Sequence, residues 1–164
     1  MISIQHTLVF FSLLFSGLIA GLLFSYSCSV NPGLKTIADI EYIKTMQAIN
    51  VAIQNPAFLI PFMGLCLILP ISTIIIYRQH TYYAFYPILA ATITYIVGVF
   101  GVTMFCNVPL NEQLAKFSSQ TTTSEIHLMR QSFEKPWNTY HIIRTVASLV
   151  SFGLTVISAM KIRL

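Results

Sequence analysis

The chain has 164 residues, of which 55% are hydrophobic and 9% charged, and its formal net charge is +4. It is too short for two ordinary domains and too apolar for a soluble one, so residues 1–164 read as a single membrane domain. The nine Lys and Arg stand singly among five Asp and Glu, with no basic run. That excludes nucleic acid as a partner and leaves the charge to orientation and interface chemistry.

Four uncharged runs, Thr7 to Leu34, Thr45 to Tyr77, Gln79 to Asn111 and Thr145 to Met160, each approach or exceed the roughly 20 apolar residues that cross a hydrocarbon core. The predicted fold is all-α: an integral membrane four-helix bundle with spans at about 7–26, 59–77, 83–105 and 140–162. The first run lacks a basic leader and stays apolar beyond the length of a signal segment, so it is kept as a span. Within it, Gly17 and Gly21 form a GxxxG flanked by Ser16 and Ala20. Such spacing serves packing inside the bundle first, with a homo-oligomer as its other use.

The first long loop is predicted to be partly helical. Thr36 followed by Asp39 has the form of a capping box, and a helix from about Asp39 to Ile53 sets Gln47 and Asn50 into the stripe of Ile40 and Ile43. Amides on an apolar face either cement loop to bundle or point into a cavity. Pro70 lies deep in span two, where it kinks the helix or frees a carbonyl for a neighbouring hydroxyl. The short turn Arg78, Gln79, His80, Thr81 follows, whereas about 30 residues join each of the other pairs, so both long loops share one side. Arg78, Lys161 and Arg163 abut span ends without acids nearby. This favours cytoplasmic termini in a plasma membrane, the bacterial inner membrane being the expected one.

In span three Gly98 and Gly101 offer a close-approach ridge, and Asn107 and Asn111 then bracket Pro109. Either asparagine serves as a helix cap or as a polar group at the long-loop level. The connector SSQTTTS leads to a second capping box, Thr122 with Glu125, and Pro136 is expected to open the last span. In that span a rotation of about 100° per residue aligns Trp137, His141, Arg144, Ser148, Ser151 and Thr155 opposite Ile142, Val146, Leu149, Val150 and Gly153. An arginine inside a span snorkels or faces a polar interior, and its alignment with His141 and the serines favours the interior. Trp137 and Tyr140, taken alone, also suit an interfacial aromatic belt.

The histidines show no HExxH or HxxxH spacing, so no metal site is predicted and no cofactor is called for. Cys28, Cys66 and Cys106 form no CxxC. Free thiols are favoured over a Cys28–Cys106 disulfide.

The segments GLIAGLLFS (Gly17 to Ser25), NPGL (Asn31 to Leu34), MQAIN (Met46 to Asn50), NVPLNEQLA (Asn107 to Ala115) and WNTYHIIRT (Trp137 to Thr145) resemble the anthrone oxygenase-like family of four-span membrane proteins. The resemblance implies a four-helix membrane fold with its polar residues at the long-loop side. It also implies an alternative function: cofactor-independent oxidation of anthrone-like or other phenolic aromatics by molecular oxygen. In that reading His141 is the base, Arg144, Gln47, Asn50 and Asn107 serve as donors, Asn111 also lines the substrate site, and Trp137 and Tyr140 stack on the rings. The residues alone weigh instead toward a non-catalytic role, structural or binding a small hydrophobic ligand, with the lipid bilayer as the expected partner.

Overall fold

The computed structural model of the chain describes residues 4–118 and 121–162. Ser119 and Gln120 of the polar connector, and Arg163 of the orientation argument, lie outside the described residues. Among those described, the chain forms five helices: α1 Ile4–Leu34, α2 Asp39–Ala52, α3 Pro56–Arg78, α4 Tyr82–Ala115 and α5 Thr123–Lys161. All but α2 are long and apolar enough to cross a membrane, so the fold is the four-span bundle that hydropathy predicts.

The spanning helices outrun their apolar windows. α1 continues to Leu34, α4 to Ala115, and α5 begins at Thr123, so most of the predicted last long loop is helix. Hydropathy marks only where a helix meets lipid; outside the bilayer these helices persist because their extensions bury one face on α2. Leu34, Tyr42, Ile43, Met46, Leu114, Phe133 and Trp137 form that second, extramembrane core. Pro136 accordingly stands inside α5 and not at its first turn, since the Thr122–Glu125 capping box starts the helix far upstream.

The other predicted box does not form. Thr36 donates to the Gly33 carbonyl at 2.8 Å, closing α1, while Ala38 caps α2 without a side-chain bond. Asp39 is instead held by Arg130 at 2.9 Å and His127 at 2.7 Å. These two partners, His127 foremost, hold its carboxyl below the usual range. Arg130 also donates to the carbonyls of Ile37, Leu34 and Lys35 and lies 4.5 Å from the Tyr42 ring centre, which fastens the α1–α2 link to α5.

Inside the bilayer the helices meet through small residues and paired hydroxyls, as expected where lipid gives no hydrophobic drive between them. A Cβ on Gly98 would stand 2.7 Å from the Cβ of Ala147, so α4 and α5 nearly touch there. Gly17 faces the Phe152 ring of α5, whereas Gly21 faces open space, so half of the GxxxG serves the bundle itself. Ser12 meets Ser72 at 3.2 Å and Thr73 meets Thr92 at 2.9 Å. Ser151 and Ser158 of α5 donate to the Ala91 and Ala84 carbonyls of α4.

Candidate functional site

The predicted stripe of α5 is the buried face of that helix. Trp137, His141, Arg144, Ser148, Ser151 and Thr155 are all buried, and Ile142, Val146, Leu149 and Val150 opposite them are exposed toward lipid. Their upper half meets two stretches of wide π-helical turn, Tyr26–Val30 in α1 and Thr103–Asn107 in α4, with a third, Thr94–Gly101, preceding the latter. Such turns recur at functional sites because the extra residue per turn re-aims the side chains that follow.

His141 is 1% exposed and stacks flat on Trp137, with ring centres 5.1 Å apart and planes 8° from parallel. Arg144 Nη2 lies 3.3 Å from its Nδ1, and because a guanidinium only donates, Nδ1 is the acceptor and Nε2 carries the proton. Nε2 donates to Ser27 Oγ at 3.0 Å; Ser27 meets Thr145 Oγ1 at 3.1 Å, and Thr145 donates to the His141 carbonyl at 2.9 Å. A tilted Tyr26 ring packs against both, 5.4 Å from His141 and 5.7 Å from Trp137.

Arg144 donates through Nη1 to Thr103 at 3.3 Å and lies 5.5 Å from the Trp137 ring centre. Its Nε is buried without a hydrogen-bond partner, and so is Oδ1 of Asn107, whose Nδ2 donates to the Trp137 carbonyl at 3.3 Å. Among the described residues the carboxylates held in ion pairs, Asp39 and Glu134, are engaged in the cap by Arg130 and His127. The guanidinium thus sits buried with a π-face and hydroxyls for company, and no ion pair. Charges so placed are costly and mark functional positions in membrane proteins.

The structure therefore gathers His141, Arg144, Trp137, Asn107 and Asn111, the last accepting the Trp137 indole proton at 2.8 Å. Neither asparagine caps a helix through its side chain. Gln47 is not at the site: it donates to the carbonyls of Leu114 and Phe117 at 2.8 and 3.0 Å, closing the end of α4. Asn50 has a buried Nδ2 with no bond but joins none of these contacts, and half-buried Tyr140 takes no part in the cluster's hydrogen bonds or ring contacts. Sequence reasoning missed Tyr26, Ser27 and Thr103. Thr103 lies one turn before Asn107, a spacing that would have found it; nothing distinguishes Ser27 from the packing serines of α1. The three cysteines are free, and among the described residues no group of three His, Cys, Asp or Glu is placed to hold a metal ion.

Known proteins bear on the assignment at this point. No curated protein and no solved structure matches the chain. A family model described as anthrone oxygenase matches residues 50–154, nearly two thirds of the chain, taking in NVPLN and WNTYHIIRT but not GLIAGLLFS or NPGL. The matched stretch carries Asn107, Trp137, His141 and Arg144 together, and on it the chain belongs to the anthrone oxygenase family.

Proposed function

We propose that the chain takes a planar phenolic aromatic of the anthrone type from the bilayer and oxidises it with molecular oxygen at the His141–Arg144 cluster. The observation that carries this reading is the buried Arg144 guanidinium, which lacks an ion pair and keeps Nε free. An enolate oxygen is the complement of such a group: it supplies the missing negative charge and accepts the unused N–H.

The chemistry balances as anthrone plus O2 giving anthraquinone plus water. His141 takes a proton from the methylene carbon through Nδ1, whose bond from Arg144 is long at 3.3 Å and yields readily. The enolate formed gives one electron to O2; radical and superoxide recombine at the same carbon, and the protonated hydroperoxide loses water to leave the second carbonyl. Arg144 holds the enolate oxygen throughout, and the Ser27–Thr145 chain keeps the imidazole in place. Trp137 and Tyr26, already ring partners of His141, are the surfaces against which a flat substrate packs.

The deciding measurement is anthraquinone formation by purified protein in lipid nanodiscs, with anthrone and oxygen. Wild type accelerates the reaction over empty nanodiscs; His141→Gln and Arg144→Met each lose at least tenfold while retaining the fold by circular dichroism. No acceleration by wild type overturns the proposal. It would leave the second reading, that the cluster docks the cap onto the bundle, which Asn111 favours because it ties α4 to the Trp137 indole of α5. We place the long-loop end outside the cell and the termini in the cytoplasm. An impermeant maleimide should label Thr36→Cys in intact cells, and labelling only after lysis refutes that orientation.

A further inference from the structure

A second site lies on the flank of α5 next to the buried stripe. A surface cavity of about 630 Å³ is lined by Lys35, just past the end of α1, and by Gln131, Glu134, Lys135, Asn138, Thr139 and Ile142 of α5. His141 and Arg144 do not line it. Its height in the fold is set by the helix itself. One turn further along, Ile142 and Val146 are 59% and 56% exposed and face lipid; a few residues earlier α5 carries Arg130 and Glu134, which belong to the aqueous cap. The cavity therefore sits at headgroup level.

Its charges are unequal. Glu134 is spent on Arg130 at 2.8 Å, and Gln131 on His127 at 2.8 Å. Lys35 and Lys135 enter no ion pair among the described residues, and both are exposed. Below them Oδ1 of Asn138 is buried without a hydrogen-bond partner, an acceptor waiting for a donor. The site thus asks for a ligand with an anionic group for two ammonium ions, a hydroxyl for one carbonyl oxygen, and an apolar tail to run down Ile142, Val146 and Leu149. We infer that this cavity binds the headgroup of an anionic phospholipid bearing a free hydroxyl, with its phosphodiester between Lys35 and Lys135 and its hydroxyl on Asn138. This inference is independent of the oxidation chemistry.

Native mass spectrometry of the full chain tests it, with detergent-solubilised protein offered equimolar phosphatidylglycerol and phosphatidylcholine. At about 1 kcal/mol for each lysine at a membrane surface, retention should favour phosphatidylglycerol by roughly tenfold or more. Lys35→Ala/Lys135→Ala should abolish the preference, while Lys44→Ala/Lys116→Ala, which removes the same charge elsewhere, should keep it. A preference that survives the first pair, or falls equally with the second, overturns the site. Phosphatidylethanol matches the charge without the hydroxyl; wild type should retain it less than phosphatidylglycerol, and Asn138→Leu should erase that difference. Equal retention by wild type overturns the Asn138 contact. Displacement of the lipid by inorganic phosphate would overturn the lipid assignment in favour of a soluble phosphate ligand.

Discussion

The contact between Gly98 and Ala147 sets the spacing of the helices that bear the site, and a single methyl tests it. In Gly98→Ala the new carbon would lie 2.7 Å from the Ala147 methyl, about 1 Å inside the roughly 3.5–4.0 Å at which carbons rest. Neither group has a side-chain torsion to turn away, so α4 and α5 must separate. Overpacking of this kind costs about 1–3 kcal/mol. For a chain of this length that lowers Tm by about 2–4 °C per kcal/mol. Ala147→Gly alone loses about 1 kcal/mol of helix propensity. The double variant moves the methyl from one helix to the other and should recover part of the loss, giving a favourable coupling. Thermal unfolding in nanodiscs, followed by circular dichroism, reads all four proteins. A Tm for Gly98→Ala equal to wild type, or a double variant no better than the sum of the singles, refutes the contact. Anthraquinone formation should follow the same order, because Thr103 and Asn107 of α4 ride with Gly98 and face Arg144 and Trp137 of α5.

Gln47→Ala removes the donor shared by the Leu114 and Phe117 carbonyls and should cost about 1–3 kcal/mol. Faster amide exchange confined to the end of α4 and to α2 is the expected signature; unchanged exchange there would show that the bonds carry no weight. Asp39 has a folded pKa below its unfolded one, so its contribution to docking α2 is fully present above the ordinary carboxylate range and is lost as pH falls through the lower folded value. Protease sensitivity of the α1–α2 link should therefore rise only on strong acidification. Asp39→Asn should be sensitive at neutral pH already, and a variant as resistant as wild type refutes the role given to the carboxylate.

Much of this architecture is legible in the residues because the bilayer filters them coarsely. Four apolar runs force four spans, and the stripe from Trp137 to Thr155 shows by its period alone which face of α5 is inside. The helix ends were not legible, since α1, α4 and α5 leave the bilayer as helices only by packing on one another and on α2. Thr36 and Asp39 have the spacing of a capping box, yet two charge-assisted bonds from Arg130 and His127 outweigh one cap. Gln47 shares a helical stripe with Asn50, and pattern cannot reveal that its partners are carbonyls of a helix end far away in sequence. Ser27 was invisible for a different reason: short hydroxyls inside apolar spans look alike whether they bond their own helix or reach an imidazole.

The wide turn Thr103–Asn107 makes the cluster depend on the count of residues as much as on their kind. Each π-turn spends about one more residue than an α-turn, so relaxation of this stretch to the commoner form with its residues unchanged would swing everything after it by about 100°. Asn107 and Asn111 would then leave Trp137 with every side chain of the cluster still encoded. In this protein the phase of a helix, carried by a single inserted residue, is itself a heritable part of the site.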